Sequence, residues 1–176
     1  MLKTLQIKLL PNEQQKDALG ETFIKFNQAC NFVSKTAFER KLFNKVFLQR
    51  IVYKDIREKF CLSAQLAVRV IAKVVDTYKE DRTTIHHFRD FGNIVYDQRI
   101  LSFKGMDEIS INTTRGRIRI PITIENTVKF KRIRGQCHLL MRNRQFYLMV
   151  AVEIREAPYI EHKDIIGVDM GIVNGH

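Results

Sequence analysis

The spacing of apolar residues predicts a strand followed by a long helix at the start of the chain. Residues 1–10 alternate between apolar and polar positions, which is typical of a half-buried β-strand. Pro11 ends the strand, and Asn12 with the acidic and amide residues after it favours the start of a helix. Apolar residues then recur at helical spacing from about residue 14 to 41, and Gly20 marks the place where this helix could break.

Two further helices are predicted before the pattern changes. The second covers about residues 44–59, with Phe47, Ile51, Val52 and Ile56 on one side. Ser63 is a candidate N-cap for the third, which runs over 64–78. On the third helix Gln65, Arg69 and Lys73 are four residues apart, so they form a polar stripe opposite the apolar side.

Beyond residue 82 the chain predicts a small antiparallel β-barrel. Short segments rich in Ile, Val, Phe and Tyr alternate with turns, most of which contain glycine, at 94–96, 100–103, 108–112, 117–121, 128–133, 136–142 and 145–153. The last two form the clearest hairpin, across Asn143 and Arg144. The lone first strand needs a sheet to join, so the helices are predicted to be an insertion between the first and second strands of this barrel.

These elements give an α+β fold with four parts. Residues 1–10 are the first barrel strand, 11–82 the helical insertion, and 83–157 the rest of the barrel. Residues 158–176 are predicted to hold a linker around Pro158 and one further buried strand.

The charge balance predicts a polyanion as partner. Thirty Lys and Arg residues against nineteen Asp and Glu give a net charge of +11, and a field of this sign concentrates phosphate groups at a surface. The longest apolar runs are too short to span a membrane, so no membrane partner is expected. Cys30, Cys61 and Cys137 form no CxxC pair, which favours structural thiols in a reducing compartment.

The basic residues concentrate in the predicted barrel. Arg115, Arg117 and Arg119 alternate with isoleucines, so they are predicted to share one face of a strand, where they could follow a phosphate backbone. A merely solvated face is the alternative. Between Asn112 and Gln145 only Glu125 opposes nine cations, which are Arg115, Arg117, Arg119, Lys129, Lys131, Arg132, Arg134, Arg142 and Arg144.

Three other features have a functional and a structural interpretation. The stripe of Gln65, Arg69 and Lys73 could enter a nucleic-acid groove, or it could be the solvent-exposed face of an amphipathic helix. Aromatic side chains near Arg89 and Arg99 could stack on bases, although core packing is favoured for them; they are Phe88, Phe91 and Tyr96. His86 and His87 are adjacent and their side chains point apart, so zinc is not expected there.

Near the end of the sequence an apolar run carries a single acid, Asp169, followed by Gly171. A carboxylate inside such a strand is costly to bury unless it is paired or binds a cation. In two-metal nucleases an acid of this kind helps to hold Mg²⁺. The alternative is an acid in a turn at the end of the strand.

Residues 167–174, Gly-Val-Asp-Met-Gly-Ile-Val-Asn, resemble the first catalytic motif of the RuvC-type nuclease domain in the TnpB family. These OrfB-type proteins of insertion sequences have also been described as putative transposases. Three upstream features are similar in order: Leu10-Pro11 followed by Gln15, the helical segment from Asn27 to Asn31, and the helix that opens with Leu62, Ser63 and Gln65. The resemblance therefore spans essentially the whole chain.

The resemblance implies a wedge-like barrel interrupted by a helical recognition insertion similar to a helix-turn-helix unit, then an RNase H-like domain. It implies a guide RNA and target DNA as partners in a prokaryotic cytoplasm, near the nucleoid, and Asp169 as the first of the acids that bind Mg²⁺. The second and third acids and the zinc ribbon of the family are not in this sequence, so we expect the chain alone not to cut DNA. Alternatives are a nuclease-dead, repressor-like DNA-binding protein and a non-functional gene fragment; the oligomeric state stays open.

Overall fold

The three helices lie between the first strand and the other six, in the predicted order. The computed structural model describes residues 2–124 and 133–153. After the first strand, β1 (Leu2–Leu9), come the helices α1 (Glu13–Arg40), α2 (Lys45–Phe60) and α3 (Ala64–Glu80). The remaining strands are β2 (Ile94–Tyr96), β3 (Leu101–Lys104), β4 (Glu108–Thr113), β5 (Gly116–Thr123), β6 (Ile133–Arg142) and β7 (Gln145–Glu153).

The strands form one antiparallel sheet in the order β2-β6-β7-β1-β5-β4-β3. Because β2 and β3, at its two ends, follow each other in the chain, the sheet curls into a nearly closed barrel. β1 lies inside the sheet, paired with β7 from Leu2↔Glu153 to Lys8↔Tyr147 and with β5 at Leu9↔Ile122. The prediction that the helices interrupt a barrel is confirmed. The predicted strand at 128–133, apart from its last residue, and the RuvC-like strand near Asp169 fall outside the described ranges.

Local capping contacts explain where the helices begin. The Asn12 side chain accepts a hydrogen bond from the Gln15 backbone N–H at 2.9 Å, and the Gln15 side chain accepts one from the Asn12 N–H at 3.0 Å. At the starts of α2 and α3, the side-chain oxygens of Asn44 and Ser63 accept hydrogen bonds from backbone N–H groups of the first turn. Gln15 also donates to the Arg119 carbonyl at 2.6 Å, which holds the start of α1 against β5.

The predicted apolar side of α2 is confirmed at Val52 and Ile56 and is wrong by one residue at Phe47 and Ile51. Leu48, Val52 and Ile56 are buried, whereas Phe47 is 52% and Ile51 38% exposed. Steps of four residues keep 48, 52 and 56 on one line, and each preceding residue lies about 100° away around the helix. The Arg50 guanidinium lies 5.4 Å from the centre of the exposed Phe47 ring.

The core joins the helices to the barrel through aromatic contacts. The ring of Phe23 on α1 stacks on Phe146 of β7, with the ring centres 6.0 Å apart.

The cysteines differ in their exposure to solvent. Burial raises the pKa of the Cys30 thiol to about 12 and that of the Cys137 thiol to about 11, whereas Cys61 is exposed. None of the helices within the described residues is both long and apolar enough to cross a bilayer.

The helix α1 runs through Gly20 without a break, so the glycine there is replaceable. A Cβ atom at Gly20 would meet no other atom within 4 Å. We expect Gly20→Ala to stabilise the protein by about 0.5–1 kcal/mol, because alanine has less backbone freedom to lose, and to raise the Tm in a thermal melt by roughly 1–4 °C.

The matched control for this prediction is Gly116→Ala. Gly116 has a φ of +98° between β4 and β5, which side chains with a Cβ rarely adopt. Alanine should therefore lower the Tm there. A Tm that falls for Gly20→Ala as well would contradict the continuous helix.

Candidate nucleic-acid interface

Polar side chains on one line of α1 hold the segment that leads into β2. The Asn31 amide donates to the Phe88 carbonyl at 2.9 Å, and its oxygen accepts from the Phe88 N–H at 2.7 Å. One turn on, the Ser34 hydroxyl donates to the His86 carbonyl at 2.6 Å, and one turn back Asn27 donates to the Gly92 carbonyl at 2.9 Å. Because side chains bind this backbone as a neighbouring strand would, residues 86–92 have a fixed path without belonging to the sheet.

Lys73 lies inside this contact and is not free to bind a distant partner. Its ammonium group donates to the Asn93 carbonyl at 2.6 Å and to the Asn27 side-chain oxygen at 3.2 Å. The rings of Phe26 and Phe88 lie 5.6 and 5.4 Å from it. Burial lowers the pKa of Lys73 below its ordinary value. The predicted stripe is therefore neither a solvated face nor, at this end, an open contact surface.

The rest of the stripe packs against the connection between β2 and β3. Gln65 donates to the Asp97 carboxylate at 2.6 Å, and the Arg69 Nε lies 3.7 Å from the same oxygen. Arg99 donates from Nη1 to the Gln65 side-chain oxygen at 3.2 Å. Gln65 thus contacts both the Arg99 guanidinium and the Asp97 carboxylate that pairs with Arg69.

Arg117 is the best-positioned cation in the described part of the barrel. Its Nε donates to Ser110 at 2.7 Å, Nη1 to the Arg99 carbonyl at 3.1 Å, and Nη2 to Ser102 at 3.2 Å. All three acceptors are neutral, and no carboxylate of the described residues lies within 4 Å of the guanidinium. Since a guanidinium has five N–H groups, one stays available on each terminal nitrogen.

The prediction that three arginines share a strand face is right for two of them. Arg117 and Arg119 are exposed on β5, where Arg119 pairs with Glu108 at 3.2 Å. Arg115 lies in the turn before β5 and pairs with Glu21 of α1 at 3.3 Å. Hydrogen bonding from Thr114, together with Arg115, lowers the pKa of Glu21 below its ordinary value. The positive charge of Arg115 is therefore already compensated.

We name the row of Arg69, Arg99, Arg117 and Arg119 the basic track. It runs from α3 across the β2–β3 connection to β5, joined by the Gln65–Arg99 contact and by the bond from Arg117 to the Arg99 carbonyl. In the sequence the helix stripe and the strand arginines are separate features, and Arg99 is notable only beside the aromatic residues. No local spacing signals this junction, because it depends on how α3 packs on the barrel.

The aromatic and histidine candidates have structural surroundings. Tyr96 is fully buried and donates to the Asn112 carbonyl at 2.9 Å, and Phe88 packs against the core. Phe91 is 41% exposed, with its ring centre 5.9 Å from that of Phe23. His86 packs on Tyr78 and contacts the Asp81 carbonyl at 2.7 Å through Nε2. Within residues 2–124 and 133–153, no group of three or more His, Cys, Asp or Glu side chains is placed to hold a metal ion.

Several predicted site residues lie outside what the structure describes. They are Lys129, Lys131, Arg132, the side chain of Arg134, and Asp169. Arg142 and Arg144 are exposed at the β6–β7 hairpin, on either side of Asn143. The two central residues of this turn have φ values of +51° at Asn143 and +63° at Arg144, which are those of a type I′ hairpin.

Comparison with known protein families finds no family that matches this chain, and comparison with curated proteins finds no match either.

Proposed function

We propose that the chain binds the sugar–phosphate backbone of nucleic acid along the basic track. The observation that carries this proposal is the state of Arg117: exposed, held by three neutral acceptors, and uncompensated by any described carboxylate. An arginine oriented in this way loses little conformational freedom when it binds a phosphate, and its two remaining N–H groups suit two phosphate oxygens.

The charge of the surroundings supports the same proposal. Arg69 and Arg119 share their charges with Asp97 and Glu108, so four arginines against two acids leave the track with 4 − 2 = +2. The net charge of +11 over the chain adds a long-range attraction for polyanions. The charge of the basic track and the net charge of the chain both attract phosphates and not base edges. The expected binding therefore depends only weakly on the nucleotide sequence.

Salt dependence is the direct test of this proposal. We expect single-stranded RNA or DNA, labelled for fluorescence anisotropy, to bind the full chain with an affinity that falls steeply between about 50 and 200 mM salt. Arg99 and Arg117 are the members of the track without a carboxylate partner among the described residues, and two phosphate contacts on a single strand predict a slope of log K against log salt of about −1.4. An affinity that does not change with salt would overturn the proposal. Tight binding of one duplex sequence alone would favour the repressor-like alternative.

We further propose, from the resemblance of residues 167–174 and the order of the upstream elements, that this is the N-terminal portion of a TnpB-like protein. The bound RNA would then be a guide, and Mg²⁺-dependent cleavage of target DNA would need Asp169 together with further acids. The test is the mass of the protein purified from its native cell. A mass well above 20.7 kDa supports the proposal, and Asp169→Asn should then abolish cleavage. A mass of 20.7 kDa would contradict it.

A further inference from the structure

A small cavity lies where β1 ends, α1 begins and the β6–β7 hairpin turns. Its volume is about 250 Å³, which is just below the roughly 300 Å³ of the smallest common small-molecule sites. Its lining has an apolar part, Leu10, Pro11 and Phe146, which we call the floor, and a cationic part, Lys8, Lys16 and Arg144, which we call the rim. Leu10 is 46% exposed, which is a large fraction for a leucine beside a packed strand. None of these rim residues belongs to the basic track.

The charges around this cavity have one sign. Three cations and no acid line it. Lys16 pairs with Glu13 at 3.3 Å, while no described carboxylate lies within 4 Å of Lys8 or Arg144. A phosphate monoester carries nearly two negative charges at neutral pH, so it matches this rim better than a carboxylate does.

The backbone at Arg144 is an independent sign that its side chain is needed there. The second position of a type I′ turn strongly prefers glycine, because its φ is positive. Here the position holds Arg144, with φ +63° and no hydrogen bond or ion pair to any described residue. Backbone strain of this kind is often kept at binding sites, and the side chain that causes it lines the cavity.

We propose that this cavity binds one nucleotide, with the phosphate at Lys8, Lys16 and Arg144 and the base on the floor of Leu10, Pro11 and Phe146. An anion alone would need only the rim, and an apolar ligand only the floor. A phosphate joined to a flat ring uses both. The ligand is either a free nucleotide or the phosphorylated end of a strand. The proposal does not depend on the basic track, since it uses none of its residues.

The test is a titration of the full chain with adenosine monophosphate, adenosine and inorganic phosphate, followed by NMR or calorimetry. We expect the nucleotide to bind at least about tenfold more tightly than either of its parts, because rim and floor act together. Nucleotide binding identifies a free ligand. If only a 5′-phosphorylated oligonucleotide binds more tightly than its unphosphorylated form, the ligand is a strand end. Equal binding of phosphate and nucleotide, with no preference for the phosphorylated oligonucleotide, would overturn the proposal.

Arg144→Gly separates a binding role from a structural one. Glycine removes the backbone strain of the positive φ at this position, so the Tm should rise by roughly 2–4 °C. Binding of the nucleotide or the phosphorylated strand end should weaken about tenfold, because one charged contact is lost. Lys35→Gln, an equal charge change at an exposed site on α1, is the matched control and should leave that binding unchanged. A stabilised Arg144→Gly protein that binds as tightly as the original chain would contradict the proposal.

Discussion

Arg117→Ala should weaken nucleic-acid binding by about tenfold to a hundredfold, because a hydrogen bond between charged groups contributes about 1.5–3 kcal/mol. The slope of log affinity against log salt should become shallower by about one, since one phosphate contact is lost. The weakening should be similar for strands of different sequence. Anisotropy titrations at several salt concentrations measure both quantities in one experiment.

Two further variants separate the geometry of Arg117 from its charge. Arg117→Lys keeps the charge and loses the planar group that Ser110, Ser102 and the Arg99 carbonyl hold in place. We expect it to keep the salt slope and lose several-fold in affinity. If lysine restores the full affinity, the oriented guanidinium is not what binds the phosphate.

Charge alone is tested by changes elsewhere on the surface. Arg115→Ala removes an equal charge two residues away, but Glu21 already compensates it at 3.3 Å. We therefore expect a smaller effect than at Arg117, and a smaller one still for Lys35→Ala on α1. Equal losses at all three positions would show that only the net charge of +11 matters. The basic track would then have no special role.

Features decided by near neighbours in the chain were predictable from the sequence. Asn12 and Ser63 cap helices through backbone N–H groups three residues away, so the starts of α1 and α3 followed from residue type alone. The place of β1 was predictable for a different reason, since an isolated amphipathic strand must pair with the only available sheet. The face of α2 was missed because Phe47 and Leu48 both fit a helical repeat, and only packing against α1 and α3 selects between them.

The candidate site was only partly predictable, because its contacts join distant parts of the chain. The pair of hydrogen bonds between Asn31 and Phe88 spans 57 residues, and periodicity carries no sign of it. Arg115 was placed on the wrong surface because the turn residue Gly116 starts β5 one position later than the alternation suggests. Arg99 belongs to the basic track because α3 packs so that its Gln65 accepts a hydrogen bond from the Arg99 guanidinium.

Asn27→Ala should destabilise the protein by about 3 kcal/mol, mainly because it leaves buried polar groups without partners. Asn27 is fully buried, donates to the Gly92 and Asp90 carbonyls at 2.9 and 3.2 Å, and accepts from Lys73 at 3.2 Å. Denaturant unfolding measures the loss. Gln28→Ala, at the next and exposed position of the same helix, is the matched control and should cost less than about 0.5 kcal/mol.

The same replacement should open one segment before the whole protein unfolds. Residues 86–93 are held by side chains of α1 and α3 and not by strand pairing, and they contain the exposed Arg89. We expect trypsin to cleave after Arg89 faster in Asn27→Ala than in Gln28→Ala, because local opening exposes this backbone.

A double-mutant cycle tests whether Asn27 and Lys73 act together. Lys73→Met keeps most of the buried stem and removes the ammonium group that needs the Asn27 oxygen as acceptor. The double variant should therefore be more stable than the sum of the single losses predicts, by about 1–2 kcal/mol. Nucleic-acid affinity should fall with Asn27→Ala as well, since the held segment continues through β2 to Arg99. Additive losses with unchanged affinity would mean that this anchor supports stability alone and that the basic track keeps its geometry without it.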